Sequence, residues 1–120
     1  MKVPREYYDE IFPFADRWGL PSACGLKIRR HGGTTYVIVT ELYQENPGNS
    51  ITYASEQLAE QICLAKGLNP ASIVYIECAP DTDSKLSFYD EAYYQVNLGA
   101  DLQHKYTRLS PERIKQILSA

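Results

Sequence analysis

The run CGLKIRRH, residues 24–31, alternates apolar Cys24, Leu26 and Ile28 with polar Lys27, Arg29 and His31. A period of two predicts a strand with one wet face. Gly32 and Gly33 follow, and glycine takes positive φ at little cost, so a tight turn is predicted there. The next run, TTYVIVTELY, is β-branched and aromatic and is apolar on both sides at Val37, Ile38 and Val39, which suits a central strand. These two runs read as a hairpin.

Over residues 51–66 the period lengthens. Ile51, Ala54, Leu58, Ile62 and Ala65 form an apolar stripe opposite Glu56, Gln57, Glu60 and Gln61, and Gly67 closes the predicted helix. SIVYIECA then reads as a short apolar strand, PDTDSK as a turn, and LSFYDEAYYQVNL as a returning strand with Leu86, Phe88, Ala92, Tyr94 and Val96 on one side. The ending SPERIKQIL predicts a helix with Ser110 as cap, Pro111 first, and Ile114, Ile117 and Leu118 inward.

Residues 1–20 form a separate arm in this reading. VPREYYDEIF suits a short helix begun by Pro4 and ended by Pro13, with Phe12, Phe14 and Trp18 packing on the body. Residues 21–120 form a single domain. Its order is ββαββα, predicting an α+β fold: a two-layer sandwich with a mostly antiparallel sheet and both helices on one face.

A chain of 120 residues matches the commonest size of one domain. It can bury a little under about 70% of its unfolded surface, so it folds without needing a metal or disulfide. The three cysteines, Cys24, Cys63 and Cys78, are odd in number and sit in apolar runs with no CxxC spacing. They read as buried thiols of a reducing, cytoplasmic compartment. The start of the chain lacks the apolar run of a signal peptide, and no stretch approaches the roughly 20 apolar residues that span a bilayer.

The net charge of −3 is unevenly spread. Residues 1–33 carry six basic and four acidic groups, residues 34–101 two basic and ten acidic, and residues 102–120 four basic and one acidic. The acidic middle repels phosphate, which disfavours general nucleic-acid binding.

Several stretches raise the question of a site. ENPGNSITY leads from strand to helix, and Gly48, Asn49, Ser50 and Thr52 are candidate anion-binding donors at a helix start. The lysine of a phosphate-binding loop is missing, as is GxGxxG, and the residues present are those a helix cap requires. DTDSKLSFYDEA opens like a calcium loop with Asp81 and Asp83, but Leu86 and Ala92 stand where glycine and glutamate are needed. His31 and His104 have no spacing that joins them to a cysteine or to these aspartates. No catalytic residue, metal ligand or cofactor is assigned.

Tyrosine is unusually frequent, ten of 120. If the helices cover Leu26, Ile28, Val74, Ile76 and Phe88, then Tyr75, Tyr89 and Tyr93 emerge on the other face with Glu77, Glu91, Lys27, Arg29 and His31. Tyrosine offers rigid amphipathic contact area at low entropy cost. The expected function is therefore non-enzymatic: binding of a protein partner, or formation of a homodimer, through an acidic, tyrosine-rich face that includes Tyr75, Tyr89, Glu91 and Tyr93. The alternative is an anion or small-molecule binder, or a small enzyme, using Asn49–Thr52 with His31 or His104. A mimic of nucleic acid built on the acidic middle ranks last.

The combination YVIVTEL, NPGNSITYASEQLAEQIC and LNPASIVYIE, followed by RLSPERI, resembles small bacterial hypothetical proteins without assigned activity, over about residues 34–118. That resemblance implies a compact bacterial cytoplasmic domain and transfers no active-site residue.

Overall fold

A computed structural model describes residues 9–13, 23–41, 55–80, 91–101 and 103–120. The elements are β1 (Glu10–Pro13), β2 (Ala23–His31), β3 (Thr34–Glu41), α1 (Ser55–Lys66), a 3-10 turn (Pro70–Ser72), β4 (Ile73–Pro80), β5 (Glu91–Val96), β6 (Tyr106–Arg108) and α2 (Pro111–Leu118). The fold is α+β, on one six-stranded mixed sheet whose strands stand side by side in chain order. Every neighbouring pair is antiparallel except β3 and β4, which run parallel because α1 lies between them in sequence and returns the chain to its starting end. Among the described residues, no helix is long and apolar enough to cross a membrane.

Local chemistry explains the joints. Gly32 and Gly33 have φ of 58° and 80°, and His31 pairs with Thr34 across them. Two successive positive φ values suit the right-handed twist of a two-residue hairpin. Gly67 ends α1 at φ 67°, and the Leu68 amide donates back to the Cys63 carbonyl at 2.9 Å. That bond satisfies one of the carbonyls a helix end leaves open, and it turns Leu68 onto the core. At α2, the Ser110 hydroxyl accepts from the Arg113 amide and Pro111 takes the first position.

The register divides the side chains between two cores. Cys24, Leu26, Val37, Val39, Tyr75 and Val96 share one face and pack with Leu58, Ala59 and Ile62 of α1. Tyr36, Ile38 and Ile76 point the other way and pack with Ile114 and Ile117 of α2. The expected sandwich has both helices on one face; here they cover opposite faces. The apolar runs of β3 and β4 explain this, because strands covered on both sides lose the clean alternation that marks a wet face.

The arm also departs from expectation. Glu10–Pro13 is a strand, with Phe12 opposite Cys24 and buried in the α1 core. Pairing with β2 overrides a weak helical preference there. Phe14 and Trp18 lie outside the described residues.

Helix α1 lies across the sheet. Its last turn reaches β1 through the Lys66–Glu10 ion pair. In its first turn, Glu56 accepts from the Gly99 amide at 2.7 Å and from Lys105 Nζ at 2.8 Å, both in the β5–β6 connection. Twelve residues span about 18 Å along a helix axis and six strands span about 24 Å, so one helix reaches nearly from edge to edge.

Candidate functional site

The tyrosines sort by register. Tyr75 stands opposite Val37 and Val96 on the α1 face and is only 1% exposed. Tyr93 stands opposite Cys78, on the other face, against the α2 core. The expected grouping of Tyr75 with Tyr93 is therefore corrected: a ring one position away in a strand's period points to the opposite side. Lys27, Arg29 and His31 share the Tyr93 face. Glu91 pairs with Pro80 at the start of β5. Tyr89 and the candidate anion-binding Gly48, Asn49, Ser50 and Thr52 lie outside the described residues, as do Asp81 and Asp83.

With Tyr75 goes Glu77, which is 5% exposed. The Tyr75 hydroxyl donates to Glu77 Oε1 at 3.1 Å. A buried carboxylate is costly without such donors, so the phenol supplies part of what water would have given. Tyr94 stands beside Glu77 and Arg108 beside Tyr94, so carboxylate, phenol and guanidinium form one row on this face. A carboxylate and a phenol can exchange a proton. Tyr75, however, is sealed in the α1 core, so here it acts as a support for Glu77. The expected outward placement of Glu77 is corrected: Ile73, Val74, Tyr75 and Ile76 leave β4 no wet side.

The tyrosines that keep partial exposure gather elsewhere. Among the described residues Tyr36 and Tyr75 are buried, while Tyr93, Tyr94 and Tyr106 are half-buried and all lie on β5 and β6. Arg108, exposed, completes this end of the sheet. A cavity of about 370 Å³ opens beside it where β4 and β5 part beyond the Tyr75–Val96 pair, lined by Pro70, Ile73, Gln95, Asn97 and Leu98 among others. Its two carboxamides are engaged in holding the connection: Gln95 Nε2 donates to Asn97 Oδ1 at 3.4 Å, and Asn97 Nδ2 to the His104 carbonyl at 3.0 Å.

The histidines lie on separate turns. His31 ends β2, while His104 sits in the β5–β6 connection with its Nδ1 2.8 Å from Asp101 Oδ1, both side chains well exposed. His104 is next to Lys105, which reaches the first turn of α1, so of the two histidines it is the one carried toward that helix end. The charges already there are the Glu56 carboxylate, which complements the positive helix end, and the Lys105 ammonium paired with it. Cys24, Cys63 and Cys78 are all buried, and burial pushes the Cys63 thiol up, away from the reactive thiolate.

Lys105 and the Gly99 amide hold the Glu56 carboxyl below the usual glutamate range. A carboxyl with a lowered folded-state pKa adds stability that is present above its unfolded value and is lost as pH falls through the folded one. The urea midpoint should therefore drop as pH falls below the ordinary glutamate range, and Glu56→Gln should flatten part of that drop. Asp9, held low by Arg29, titrates in the same direction and keeps part of the drop in that variant. Identical pH profiles for the two proteins would show that Glu56 carries none of it.

No protein-family model, curated protein or solved structure matches this chain.

Proposed function

We propose that this chain is a non-enzymatic binding module that takes a protein partner, in its simplest form a second copy of itself, at the β5–β6 end of the sheet. One observation carries the reading: the half-buried tyrosines Tyr93, Tyr94 and Tyr106 all stand on these two adjacent strands, while Tyr36 and Tyr75 serve the core. Both faces of the sheet carry a helix, so a partner is met at this end and not on an open face. Phenol rings that are partly anchored lose little freedom on binding, and their hydroxyls accept a polar rim. Tyr93 flanks this end on the α2 side and Tyr94 and Tyr106 on the α1 side, so a second copy that meets the end edge-on touches both sides and closes a dimer with twofold symmetry.

Light scattering across a concentration series tests the dimer, with Tyr93→Ala and Tyr106→Ala shifting the protein toward monomer. Crosslinking in native extract tests a different protein partner, with the adduct lost in the same variants. A strict monomer whose crosslinking pattern is untouched by either substitution would overturn the reading.

A further inference from the structure

The two ends of the described chain meet at one side chain. Arg29 projects from β2, and its guanidinium grips both oxygens of Asp9, NH1 on Oδ2 and NH2 on Oδ1, the latter at 3.1 Å. NH1 also donates to the Ile28 carbonyl at 3.0 Å, and Nε donates to the Leu118 carbonyl at 3.3 Å. Asp9 leads into β1, and its own amide donates to the Leu26 carbonyl at 3.2 Å. Leu118 closes α2, where the last carbonyls have no partner within the helix and the dipole favours a cation.

We propose that Arg29 is a shared clasp that couples the docking of β1 to the docking of α2. The guanidinium is planar, so the fork it makes with Asp9 fixes the direction in which Nε points. Release of Asp9 returns the side chain to many rotamers, and the bond to Leu118 is then formed only part of the time. Both elements are short, four and eight residues, and neither holds its conformation without tertiary contacts. Opening of α2 bares Tyr36, Ile38 and Ile76, so a pull on the N-terminal strand loosens the cover of that apolar face.

Amide hydrogen exchange on the full chain tests the coupling. Asp9→Ala should speed exchange of the α2 amides by about threefold to fivefold, the partial loss of the charge-assisted bond from Arg29 to the Leu118 carbonyl. Glu10→Ala removes a different side-chain tie of β1, the ion pair to Lys66 of α1, and should leave α2 at its original rates. Ile117→Ala, which loosens α2 directly, should speed exchange at the Asp9 amide, because coupling acts equally in both directions. Unchanged α2 rates in Asp9→Ala would overturn the proposal. So would an equal acceleration of α2 by Glu10→Ala, since any loosening of β1 would then suffice.

Discussion

Ile62→Ala and Ile117→Ala should each lower the unfolding free energy by about 3 kcal/mol, and the double variant by about the sum, within roughly 0.5 kcal/mol. Both side chains are almost fully buried, so each truncation loses transfer energy and leaves a cavity. Ile62 fills the core beneath α1 and Ile117 the core beneath α2. The sheet lies between them, so the two cavities share no wall of side chains and neither relaxation can relieve the other. Urea unfolding of the four proteins at equal slope is the measurement. A coupling energy of 1 kcal/mol or more would mean that the helices share a core, and would refute the assignment of one helix to each face.

Tyr75→Phe should cost about 1–3 kcal/mol, far more than Tyr94→Phe. The change removes one oxygen and leaves the ring packing intact, so the loss reports what the phenol donor gives Glu77. Tyr94 is partly exposed and water can replace its hydroxyl's contacts. The same pair separates support from binding. Tyr75→Phe should leave self-association unchanged at temperatures where the protein stays folded, whereas Tyr93→Ala and Tyr106→Ala should weaken it. If Tyr75→Phe proves neutral in denaturant, the hydrogen bond to Glu77 contributes nothing net. If it also disrupts association, the division between core and surface tyrosines fails.

Much of the strand and helix content was legible in the residues. The hairpin of residues 24–41 announced itself through alternation and the paired glycines, and α2 through Ser110, Pro111 and its inward isoleucines. What was hidden followed from two physical causes. Tyr106–Arg108 is three residues long and mostly polar, too short for any period to register, so the sixth strand was not foreseen. Val37, Ile38 and Val39 in β3, like Val74, Tyr75 and Ile76 in β4, are apolar on both sides. Alternation then says which residues share a side but not which side meets water, and the assignment of rings to faces slipped by one residue. Tyr75 and Glu77 therefore look like surface residues in the sequence and are buried in the fold. That the half-buried rings stand on the neighbouring strands β5 and β6 depends on strand order, which a single sequence does not display.

The lone parallel junction between β3 and β4 divides the sheet into two meanders, each assembled from chain segments that are neighbours in sequence. Contacts within each half close short loops and form early, whereas the seam between them requires the chain from Glu41 to Ile73 to come back on itself. The kinetic barrier should accordingly lie at the seam. Truncations at Val37 and Ile76 should slow refolding, while Ile11→Ala at the outer edge should chiefly hasten unfolding. The opposite partition would place nucleation in one of the halves.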